Sequence, residues 1–94
     1  MPEKALRIPE SVVFEVLDGQ TVLLELASGK YWRLNSTGTA LWKQIEEHGD
    51  LDRAMEHIAF TFAAPIERVR EDAQGLVRQL LDARLLKEEA GAAS

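Results

Sequence analysis

The chain predicts an α+β domain: an N-terminal three-stranded antiparallel sheet followed by three helices. Three observations carry this. Two alternating apolar runs flank Asp18-Gly19, a pair suited to a tight primed hairpin turn because both residues tolerate positive φ. Ser28-Gly29 then turns the chain again into Lys30-Tyr31-Trp32-Arg33-Leu34. From Asn35 onward the apolar spacing changes from two to the three-and-four of a helix. Strands grouped ahead of helices place the two in separate layers.

Each element has its own justification. Val12, Phe14 and Val16 share one face of the first run, and Val22, Leu24 and Leu26 one face of the second. Val13, Leu17 and Leu23 are left on the outer face. In the third run Trp32 shares parity with Leu34, so both point to the helices while Tyr31 and Arg33 point away. Asn35 or Ser36 caps the first helix, Ala40, Leu41, Trp42 and Ile45 form its apolar stripe, and Gly49 stops it. Asp50 or Asp52 opens a second helix carrying Leu51, Ala54, Met55, Ile58, Ala59 and Phe62. Pro65 divides it from a third helix of about 19 residues, roughly 28 Å long. Its stripe is Ile66, Val69, Ala73, Leu76, Val77, Leu80 and Leu81. Gly75 interrupts that helix at a cost of about 0.5–1 kcal/mol relative to alanine. It is either simply tolerated or leaves room for another backbone. Leu85 and Leu86 end the domain as a short strand or turn.

The 94 residues suit a single domain. Residues 1–10, with two prolines and no period, are read as a flexible arm, 11–88 as the domain, and 89–94 as a disordered tail. The absence of cysteine excludes disulfides, thiolate metal sites and a cysteine nucleophile. No apolar run reaches the roughly 20 residues of a membrane span, and no signal-peptide profile opens the chain. A cytoplasmic protein is the resulting expectation. Sixteen acidic against eleven basic side chains give a net charge of −5, which disfavours neutralisation of phosphates.

No residue pattern supports catalysis. His48 and His57 lack a clustered carboxylate, so no metal is expected. The glycines match neither a phosphate loop nor a dinucleotide fingerprint, and no cofactor is expected. Arg68, Arg70, Arg78 and Arg84 alternate with Glu67, Glu71, Asp72 and Asp82, a mixed face rather than a basic stripe. The sheet offers more. Its first and third strands are both edges, and an edge invites pairing with an extended peptide.

The order Gly29-Lys30-Tyr31-Trp32-Arg33-Leu34-Asn35-Ser36-Thr37-Gly38, then Leu41-Trp42, resembles the opening signature of the pyrroloquinoline-quinone chaperone-like (PqqD-like) family. Val69-Arg70-Glu71-Asp72-Ala73, Leu80 and Leu85-Leu86 resemble its last helix and end. That family includes the leader-recognition elements of ribosomally made, modified peptides. A stand-alone chain such as this is most similar to those of lasso peptide pathways.

The resemblance implies a winged helix-turn-helix-like domain, not an enzyme. A precursor's leader peptide would add to the third strand and lie against the third helix. Separate protease and cyclase partners would then process it. Carried onto this chain, the peptide-binding residues are Lys30, Tyr31, Trp32, Arg33 and Leu34 on the strand. On the helix they are Val69, Asp72, Ala73 and Leu76. The alternatives are a chaperone of another modified-peptide or pyrroloquinoline quinone pathway and, from a different class, a winged-helix DNA-binding protein.

Overall fold

A computed structural model describes residues 5–89. Its strands are β1 (Ala5–Arg7), β2 (Val12–Leu17), β3 (Gln20–Glu25), β4 (Lys30–Leu34) and β5 (Lys87–Glu89). Its helices are α1 (Ser36–His48), α2 (Leu51–Thr61) and α3 (Ile66–Asp82). The three predicted strands are β2, β3 and β4, joined as an antiparallel sheet in that order. Asp18 and Gly19 form the expected two-residue turn, with φ of 53° and 77°.

That turn corrects the predicted face of β3. A two-residue loop pairs Leu17 with Gln20, which places Val12 opposite Glu25, Phe14 opposite Leu23 and Val16 opposite Thr21. Directly paired residues share a face. The inward residues of β3 are therefore Thr21, Leu23 and Glu25, all buried, while Val22 and Leu24 lie on the opposite face. Leu26 falls beyond the strand and is exposed. For β4 the expected parity stands. Trp32 pairs with Leu23 and Leu34 with Thr21 on the inner face, leaving Tyr31 and Arg33 outside.

α1 packs on β3 and β4 and contacts both other helices. Leu41, Trp42 and Ile45 meet the sheet's Leu23 and Leu34 in one core with Ala54, Met55, Ile58, Val69, Ala73, Val77 and Leu80. Full burial of a side chain such as Leu23 contributes about 1.5–3 kcal/mol. Phe14 meets the fully buried Trp42 ring edge-on, with centroids 5.4 Å apart and planes at 77°. The Trp42 Nε1 has no hydrogen-bond partner among the described residues.

Asn35 caps α1 by accepting from the Gly38 N–H at 2.9 Å, and Asp50 caps α2 by accepting from the Arg53 N–H. Gly49 ends α1 in the left-handed region, as its position implied. α3 starts after Pro65 and runs 17 residues, slightly shorter than expected.

The N-terminal segment departs from its reading as a loose arm. Ala5–Arg7 pairs antiparallel with Lys87–Glu89, Leu6 is buried, and the Leu6 N–H donates to the Gly49 carbonyl at 2.9 Å. Leu6 supplies one apolar anchor that a segment with two prolines and no period did not advertise. Glu89, assigned to the tail, closes this second sheet and meets Arg7 at 2.9 Å. Residues 1–4 and 90–94 lie outside the described residues.

Candidate functional site

β4 has β3 on one side and no strand on the other among the described residues. β1 forms its sheet with β5 and leaves this edge open. Next to the C-terminal end of β4 lies a groove of about 480 Å³, bounded by the start of α1, the end of α2 and the stretch of α3 from Arg68 to Leu76. Leu34, Leu41, Ile58, Phe62, Val69, Ala73 and Leu76 make it largely apolar. Arg33, Asn35, Thr37, Arg68 and Asp72 supply polar groups.

Local structure explains the groove's shape. The turn from β4 into α1 occupies a single residue, Asn35, so the helix starts hard against the strand. Gly38 makes this approach possible. A Cβ there would stand 3.1 Å from the Leu34 Cβ and 3.4 Å from Leu76. A buried hydroxyl pair ties the same corner together. Thr21 Oγ1 donates to Thr39 Oγ1 at 2.7 Å, and Thr39 Oγ1 reaches the Leu34 carbonyl at 3.5 Å.

Six of the nine peptide-binding residues expected from the resemblance line this groove: Arg33, Leu34, Val69, Asp72, Ala73 and Leu76. The other three do not. Trp32 is half-buried on the inner sheet face, and Tyr31 is 66% exposed on the outer one. Lys30 lies at the far end of β4, beside a second cavity that includes Glu25 and Arg84. Phe62, Arg68, Thr37 and Ile58 belong to the groove but were not singled out. The 3.6-residue period places Arg68 one turn before Asp72 on the same helix face, a signal that was available. No periodicity within one element brings the end of α2 to the groove.

Glu25 anchors the opposite end of the sheet. Its carboxylate accepts from the Ser28 N–H at 2.7 Å. Hydrogen bonds from the Ser11 side chain first, then from Ser28, hold its pKa down at about 2 despite the opposing effect of burial. Among the described residues, no group of three or more His, Cys, Asp or Glu is placed to hold a metal ion, and no helix is long and apolar enough to cross a membrane.

A family model described as coenzyme PQQ synthesis protein D (PqqD) matches residues 20–86, from the start of β3 through α3 to the residue before β5. The chain belongs to the PqqD family. Among solved structures, this PqqD-family chain is similar to TbiB1 in complex with the TbiA(beta) leader peptide. The TM-score is 0.81 at 27% identity, over 86% of this chain and 94% of that one. None of the curated proteins matches it.

Proposed function

We propose that this PqqD-family protein binds the leader segment of a ribosomally synthesised precursor peptide. The leader adds as a strand to the open edge of β4 and lays its side chains into the groove against α3. The likeness to TbiB1, a protein solved with a leader peptide bound, supports the reading most strongly. The open edge and the adjoining apolar groove supply what such binding needs.

The energetics divide the work between backbone and side chains. Each backbone hydrogen bond along β4 contributes about 0.5–1.5 kcal/mol net. Ordering a flexible segment costs about 2–5 kcal/mol or more. Strand pairing alone therefore roughly breaks even, and burial of apolar leader side chains in the groove supplies the surplus. Leu34, Val69, Ala73 and Leu76 provide that surface. Asp72 and Arg33 set polar contacts at its margin, while Lys30, Tyr31 and Trp32 contribute chiefly through the β4 backbone.

The protein itself is not an enzyme in this reading. It works in the cytoplasm and presents the bound precursor to a separate protease and cyclase, as in lasso peptide biosynthesis. The family's own description favours a second reading, in which the precursor belongs to the pyrroloquinoline quinone pathway. Titrating fluorescently labelled leaders of a lasso peptide precursor and of a pyrroloquinoline quinone precursor tests the function and separates the two pathways. Saturable binding that a scrambled peptide lacks, and that Leu76→Arg weakens at least about tenfold with an unchanged unfolding midpoint, is expected. Equal binding of leader and scrambled peptide, or full binding by Leu76→Arg, contradicts it.

A further inference from the structure

We infer that the groove selects a leader carrying a carboxylate side chain close to a bulky apolar residue, with Arg33 and Arg68 as its acid-recognising pair. The inference rests on the leader-binding reading above and specifies the chemistry of the ligand. Arg33 stands at the rim, on the outer-face side of the edge strand β4, and Arg68 in the first turn of α3, and both border the same groove. Neither has an ion-pair partner among the described residues, although Asp72 stands one helical turn from Arg68 and lines the same groove. The groove thus carries two cations and one anion, an excess of positive charge on a protein whose net charge is −5.

An acidic peptide would meet repulsion over most of such a surface and attraction at this groove. A guanidinium presents its donors as a planar fork, so a carboxylate that reaches either one is held by charge-assisted bonds of defined direction. The apolar walls of Leu34, Val69 and Leu76 lie beside this pair. A leader in extended conformation sends residues two apart to the same side, towards Arg68, and adjacent residues to opposite sides, towards Arg33. An aspartate or glutamate within two residues of a large apolar side chain therefore fits both features together.

Selection from a phage library of random dodecapeptides tests this, with the wild-type protein and the Arg33→Gln and Arg68→Gln variants as baits. Both arginines are exposed, so their variants fold, and a thermal melt verifies it. The wild type is expected to enrich peptides with Asp or Glu within two residues of a bulky apolar side chain. Replacing that acid by its amide should weaken binding about tenfold, and each arginine variant should lose the acidic preference while retaining the apolar one. Enrichment of apolar positions with no acidic preference overturns the inference and leaves peptide binding standing. Failure to enrich any sequence overturns both.

Discussion

Thr21 on β3 and Thr39 on α1 share a hydrogen bond of 2.7 Å in the interior, and the Leu34 carbonyl at the end of the edge strand lies within 3.5 Å of the same Thr39 oxygen. This hydroxyl pair fixes the corner where sheet, helix and groove meet. Thr39→Val leaves the Thr21 hydroxyl buried without an acceptor, at an expected cost of about 1–3 kcal/mol. The double variant Thr21→Val/Thr39→Val removes both polar groups at constant shape and should recover most of that loss. Chemical denaturation of the four proteins in a double-mutant cycle measures the coupling.

Two exchanges of opposite sense should each stabilise the protein. Just past the end of α2, Ala63 adopts φ 51°, where the Ala64 N–H reaches the Ala59 carbonyl and the Ala63 N–H the Phe60 carbonyl. That closure normally employs glycine, because a Cβ is strained in the left-handed region. Ala63→Gly is expected to gain about 0.5–1 kcal/mol. Gly75 lies inside α3 with open space where a Cβ would go, so Gly75→Ala should gain about 0.4–1 kcal/mol. Urea midpoints at an unchanged slope test both.

Acid should loosen the end of the sheet remote from the groove. With the Glu25 pKa lowered from 4.5 to about 2, its carboxylate favours the folded state above pH 4.5. That contribution fades as the pH falls from about 4.5 towards 2. The stability gap between wild type and Glu25→Gln should therefore be full at pH 7 and shrink steadily through this window. Denaturant midpoints at pH 7, 4 and 3 report it.

Gly49 holds β1 in place as well as ending α1. A Cβ at Gly49 would stand 3.0 Å from the Leu6 carbonyl oxygen, whereas one at Gly29 would meet nothing within 4 Å, although both residues have φ near +70°. Gly29→Ala thus measures backbone strain alone, about 1–2 kcal/mol. Gly49→Ala should cost more, and amides in β1 should exchange faster in that variant only.

Much of this architecture was legible because local chemistry and tertiary packing agree. The Asp18-Gly19 turn, the Gly49 stop and the Pro65 boundary each have one dominant physical reading, and each is found, while of the two caps open for α1, Asn35 or Ser36, it is Asn35 that serves. The inner face of β3 was also within reach. Once the hairpin loop has two residues, Phe14 inward forces Leu23 inward, a constraint that belongs to the pair of runs and to neither run alone. The pairing of Ala5–Arg7 with Lys87–Glu89 was not accessible, since three-residue strands from opposite ends of a chain carry no periodicity. Likewise, α2 and α3 close on Ala63 and Arg84, residues that give no glycine signal. The strand and α3 walls of the groove came from the resemblance. The contributions of Phe62 and Ile58 depend on how α2 meets α3.

Amide hydrogen exchange across Lys30–Leu34, read residue by residue with and without a saturating leader peptide, tests strand addition most directly. Docking on the open edge of β4 predicts that alternate amides in this stretch slow at least about tenfold on binding, as new cross-strand bonds form. A leader that binds while every one of these amides exchanges as in the free protein would contradict it.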